Sequence, residues 1–311
     1  MVPDAEFASY YDKPIINQPV WSEPDIPGYL FLGGLAGAAS VLAAGADLTR
    51  RPVLAVASKL GATGAVSLAF VALVHDLGRP KRFLNMLRVF KVTSPMSMGS
   101  WLLSAYAPLA GAAALSGTTG RAPRLGRVAT MAAAVLGPGL AAYTAVLIAD
   151  TAVPAWHDGY REMPYIFVGS GATAAAGLAM LAAPLAENGP ARRLAGVAAV
   201  AEVGAIRAME RRLGMVADPY HEGNSGRLLR AGEVLGTMGA IGAALMGGRS
   251  RAAAAASGAA LLTASALSRF AIFRAGLVSA NDPRYTVVPQ RQRLSQPGSS
   301  RPPGDLPLRE H

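Results

Sequence analysis

No cysteine occurs among the 311 residues, which removes thiolate-held iron–sulfur clusters, disulfides and thiol nucleophiles at once. Histidine is scarce as well. His75, His157, His221 and His311 are the full set, and only His75 borders a strongly apolar run, so no haem held between buried imidazoles is expected. Charged residues make up only 15% of the chain and aromatics 6%, too little charge for an ordinary soluble domain. In their place stand 52% hydrophobic residues and 35 glycines, with a mean hydropathy of +0.32. Small apolar side chains let helix backbones approach closely where lipid rather than water is the solvent.

A helix needs roughly 20 apolar residues to cross the hydrocarbon of a bilayer. Runs of that kind occupy residues 28–46, 54–74, 98–118, 128–149, 163–186, 194–213, 228–247 and 252–273. They predict an all-α integral membrane protein whose eight transmembrane helices form two four-helix bundles, residues 28–149 and 163–276. A polar N-terminal segment, 1–27, precedes them, and a polar tail rich in Pro, Arg, Ser and Gln, 277–311, follows, expected to be loosely ordered or laid on a partner. The acidic opening, with Asp4, Glu6 and Asp12, lacks the basic start of a cleaved signal peptide. Lys59 is expected to snorkel to the headgroups, and Trp21 and Trp101 to act as interfacial anchors. The sixth run contains or adjoins Glu202, Arg207, Glu210, Arg211 and Arg212, so it cannot face lipid all round.

The net charge of +10 falls mainly between apolar runs and in the tail, not on one soluble face, which argues against nucleic acid as a partner. With an even number of crossings, most of the 29 Lys and Arg residues share a side with both termini, including those from Arg79 to Lys91 and those counted with the tail from Arg269 to Arg309. The positive-inside rule then places both termini in the cytoplasm and the protein in the cell membrane.

The densest set of special residues is 75–101, HDLGRPKRFLNMLRVFKVTSPMSMGSW. This run, the segment PVWSEPDIPGYLFLGGLAGA before and into the first apolar run, and Tyr143-Thr144-Ala145 resemble the NrfD/polysulfide-reductase membrane-subunit family. The opening YYDKPII…PVW is similar to the branch found with formate dehydrogenase-like enzymes, and the likeness holds in register over roughly the first 180 residues. Ala145 departs from the family's Tyr-Thr-Gly, and Tyr29 stands where some relatives have a histidine. The resemblance implies that the first bundle binds a quinone, menaquinone or ubiquinone. Its implied partners are a ferredoxin-like iron–sulfur subunit and a molybdenum- or tungsten-pterin catalytic subunit, while this chain carries no haem or iron–sulfur cluster of its own. Asp76 matches the family's acidic position and Tyr143 its quinone-side tyrosine, and His75 offers the imidazole missing at Tyr29.

Quinone reduction needs hydroxyl or imidazole donors at the carbonyl oxygens and a carboxylate to relay protons. Tyr29, His75, Asp76 and Tyr143 all fall at span ends on one face. Each has a plainer reading: Asp76 pairing with Arg79 or Arg82, the tyrosines as interfacial anchors, His75 as a solvated surface residue. Arg79, Lys81 and Arg82 are read as partner contacts or orientation determinants. Glu202 and Glu233 form a candidate proton path, or else ion pairs with Arg207 and Arg230, because a charge inside the bilayer costs roughly 2.5–3.5 kcal/mol. Two functions of other classes remain open: a secondary transporter or ion-translocating subunit using those glutamates, and a passive membrane anchor.

Overall fold

In the computed structural model, residues 15–79 and 81–295 are described, with side chains to residue 292. The opening motif up to Pro14, Pro80 and the tail from residue 296 lie outside the described residues. The described chain is helical, with no strand: α1 (Asp25–Leu48), α2 (Pro52–Asp76), α3 (Lys81–Met86), α4 (Pro95–Thr119), α5 (Pro123–Ala149), α6 (Pro154–His157), α7 (Met163–Ala182), α8 (Gly189–Leu213), α9 (Asp218–His221), α10 (Gly223–Leu245), α11 (Arg251–Asn281) and α12 (Arg284–Ser295).

Seven of these, α1, α2, α4, α5, α7, α10 and α11, are long and apolar enough to cross a membrane. The protein is therefore an integral membrane protein. Helix α8 matches them in length at 25 residues but carries the charges already noted. Proline at the first turn, where no N–H partner is needed, starts α2, α4, α5, α7 and α8, and Ser94 caps α4 by accepting from Ser97 N.

Helix α1 packs on α2 and α5, and α4 lies against α2 and α5. Helix α7 packs on α8 and α11, and α10 lies against α8 and α11. The two sets meet chiefly through α1 and α7. At the α1–α5 crossing a Cβ added to Gly37 would sit 2.2 Å from the Gly137 carbonyl oxygen, and one added to Gly137 would sit 2.3 Å from that of Gly37. Only glycine allows this backbone contact. Large apolar side chains such as Leu68, Val71, Val135, Val200 and Met238 point outward, where lipid, not water, satisfies them.

Two expectations change. Helix α11 runs on to Asn281 and residues 284–295 form α12, where the composition suggested a loose tail; the ordered stretch is tied down by Tyr285, which is buried, and by the Gln18–Asn281 hydrogen bond. Lys59 reaches toward the helix ends, where its Nζ pairs with Asp47 Oδ2 in the last turn of α1 at 2.7 Å. Trp21 stacks on the buried Trp156 at 5.8 Å, and Trp156 donates to Ile272 O at 2.8 Å, so Trp21 seals a helix junction and is not a lipid anchor. Trp101 remains 40% exposed and edge-on to Phe90.

Candidate functional site

Helix directions set which side chains can meet. The first turns of α1, α4, α7 and α10 and the last turns of α2, α5, α8 and α11 share one end of the molecule. Tyr29 lies just inside the start of α1 and Tyr143 just inside the end of α5, and their hydroxyls meet: Tyr29 Oη donates to Tyr143 Oη across 3.1 Å. Tyr29 is fully buried and Tyr143 half-buried. A Cβ on Gly99 of α4 would fall 1.9 Å from Tyr143 Cζ, so that glycine supplies the space for the ring. Since Tyr29 spends its proton on the pair, the Tyr143 hydroxyl keeps its own O–H to offer elsewhere.

A second group forms at the same end. Asp76 Oδ1 accepts from Ser22 N at 2.9 Å and lies 2.8 Å from Ser22 Oγ. Ser22 Oγ is also 2.9 Å from Asp25 Oδ2, which in turn meets His75 Nδ1 at 2.7 Å. A hydroxyl has one proton, so Ser22 bonds one carboxylate at a time and links both. The chain His75, Asp25, Ser22, Asp76 is a continuous series of acid–base groups opening to the surface at His75, whose side chain is 77% exposed.

Among the residues singled out in the sequence, Tyr29 and Tyr143 are thus in contact, and His75 and Asp76 join through Ser22 and Asp25. Asp76 takes its hydrogen bonds from Ser22 and not from Arg79 or Arg82; Arg82 instead donates to Leu77 O at 3.1 Å. Arg79, Lys81 and Arg82 lie exposed beside this group.

Glu233 is paired with Arg207, not Arg230: Arg207 Nη2 to Glu233 Oε2 is 2.7 Å, and Arg230 bonds the Gly226 carbonyl. Glu202 is buried and accepts from Thr173 Oγ1 at 3.3 Å. Facing it is Arg269, wholly buried within α11 rather than in the tail with which the charge count placed it. Its Nη2 donates to Phe167 O at 2.6 Å and its guanidinium lies 3.7 Å from the Phe167 ring centroid.

Sequence reasoning passed over Ser22, Asp25 and Arg269. The signals were there: Ser22-Glu23-Pro24-Asp25 has the serine-to-acid spacing of a helix start, and Arg269 is a lone cation within an Ala- and Ser-rich helix.

The family described as "Polysulphide reductase, NrfD" matches residues 15–209. The chain belongs to the NrfD family. No curated protein matches it. The matched stretch of this NrfD chain covers α1 through most of α8, so it contains the tyrosine pair and the Ser22–Asp76 group and stops before α10 and α11. NrfD proteins are membrane subunits of quinone-interacting oxidoreductase complexes, and they typically pair with iron–sulfur and molybdenum-pterin subunits. Among the described residues no cluster of three or more His, Cys, Asp or Glu is spaced to hold a metal ion.

Proposed function

We propose that this chain is the quinone-binding membrane subunit of a formate dehydrogenase-like molybdopterin or tungsten-pterin oxidoreductase, exchanging electrons between a ferredoxin-like iron–sulfur subunit and menaquinone or ubiquinone. The observation that carries the reading is the Tyr29–Tyr143 hydroxyl pair, which holds a spare O–H at the same helix ends as the acid–base chain from His75 to Asp76. The residues present fit a quinone headgroup: a half-buried phenol donor, an apolar surround from Leu32 and Leu73, and a carboxylate close to the surface. A quinone bound there supplies two-electron, two-proton chemistry. Tyr143 donates a hydrogen bond to it, Tyr29 holds the Tyr143 ring in place, and His75, Asp25, Ser22 and Asp76 carry protons between the surface and the site. Arg79, Lys81 and Arg82 present positive charge to the iron–sulfur partner beside it.

On this reading α8 crosses the membrane as well. Eight crossings then form two four-helix bundles, α1, α2, α4 and α5 in residues 28–149 and α7, α8, α10 and α11 in 163–276, between polar segments 1–27 and 277–311. Both termini face the cytoplasm of the cell membrane.

In the assembled complex, Tyr143→Phe is expected to lower formate–quinone turnover by about 10²-fold or more, the usual worth of a positioned proton donor, with dye-linked formate oxidation unchanged. Asp76→Asn is expected to lower the same coupling. Unchanged quinone turnover in both variants ends the site assignment, whereas a complex that binds no quinone at all would be left with a passive anchor.

A further inference from the structure

Between α7, α8, α10 and α11 lies a cavity of about 20 Å³, lined by Thr173, Glu202, Glu233, Thr237 and Ser268 among apolar neighbours. One water needs about 10–15 Å³ and two to four polar partners, so the cavity is large and polar enough to hold one. Two of the lining groups call for a polar partner. Glu233 Oε1 and Ser268 Oγ are buried with no hydrogen-bond partner, as are Nε and Nη1 of the neighbouring Arg269. Glu202 and Arg269 interact electrostatically, yet their charged atoms do not come within salt-bridge distance. A polar atom buried without a partner costs about 1–3 kcal/mol, and a charged one more.

We propose that water in this cavity joins Glu233 to Glu202 as a proton half-channel from the molecular end that carries Asp76 to the middle of the membrane. Its outer end is built. Arg207 bridges Glu210 and Glu233 at 2.7 Å each, and His221 Nε2 stands 3.6 Å from Glu210 Oε1 at the surface. Glu202 sits eleven residues before the end of α8, roughly 16 Å deep at 1.5 Å per residue. Arg269 and Ser268 from α11, Thr173 and Ser170 from α7, and Glu233 and Thr237 from α10 surround it and the cavity. A proton taken from water at the surface passes to Glu202 and returns by the same route. No electron moves.

Arg269 is the fixed countercharge in this scheme. It is held to α7 through the Phe167 carbonyl and ring, and its Nη2 lies 3.5 Å from the Cβ position of Gly34 in α1. The proposal does not rest on the quinone reading, because Glu202 can be followed in the resting protein.

The test uses the full chain in lipid nanodiscs, with infrared spectroscopy of the carboxylic-acid C=O stretch during transfer from H2O to D2O. A deuterium-sensitive band that titrates with bulk pH and is missing in Glu202→Gln is expected, and Glu233→Gln is expected to slow its exchange by at least about tenfold, equivalent to about 1.4 kcal/mol. Exchange unaffected by Glu233→Gln overturns the route. Should Glu202→Gln fail to fold, a high-resolution map of the wild-type complex decides: water density between Glu202 and Glu233 supports the half-channel, and a dry cavity overturns it.

Discussion

Tyr143 shows how little separates a packing residue from a reactive one. Its hydroxyl receives the Tyr29 proton at 3.1 Å, and that fixes the direction in which its own O–H is free. Tyr29→Phe is therefore expected to leave quinone turnover measurable but weakened, by less than Tyr143→Phe, since it removes a positioning contact and not the donor. Gly99→Ala tests the same point from the opposite helix. The added Cβ meets the Tyr143 ring at 1.9 Å, so the ring must shift; KM for quinone is expected to rise while dye-linked turnover stays constant.

Helices in this protein approach backbone to backbone at several glycines, among them the Gly37–Gly137 and Gly34–Gly171 contacts. Gly37→Ala or Gly137→Ala forces α1 and α5 apart, and overpacking of this kind costs about 1–3 kcal/mol. A lowered midpoint in thermal unfolding of the detergent-solubilised chain is expected, with no comparable loss for Gly45→Ala, whose Cβ position is open. Outside the spans, Arg212 anchors the end of α8 to the start of α7 through Glu162, with Arg212 Nε to Glu162 Oε1 at 2.7 Å. The Arg212 guanidinium, by hydrogen bond and charge, holds the Glu162 carboxyl below its ordinary range against a smaller opposing effect of burial. A carboxylate lowered on folding stabilises the fold above its unfolded pKa and loses that contribution as pH falls through the folded value. Acid titration of wild type against Glu162→Gln is thus expected to show an added loss of stability in the wild type alone, in the mildly to strongly acidic range. The pair is partly solvated, so the difference should stay within about 1 kcal/mol.

Across the whole molecule, the absence of native cysteine gives a clean test of topology. Single cysteines at Leu84 in α3 and Arg121 between α4 and α5 are expected to react with an impermeant maleimide from opposite faces of the membrane. Glu187 and Glu222, either side of α8, should do the same; labelling of both from one face would remove α8 as a crossing and leave seven.

Hydropathy by itself determined that the chain lives in a membrane and where its apolar runs fall, because lipid demands near-continuous apolar helices whatever their neighbours. The family resemblance singled out Tyr29, His75, Asp76 and Tyr143, and the apolar runs put them at one end. Only tertiary structure decided which partners they take. Ser22 and Asp25 reach Asp76 and His75 across fifty or more positions of sequence, and Lys59 pairs with Asp47. Arg269 looked like one cation among many near the tail, yet it is enclosed by α7, α8 and α11 opposite Glu202. A linear pattern records how much charge a helix carries, while the angle at which that helix meets its neighbours sets whether the charge faces headgroups, water or another buried charge.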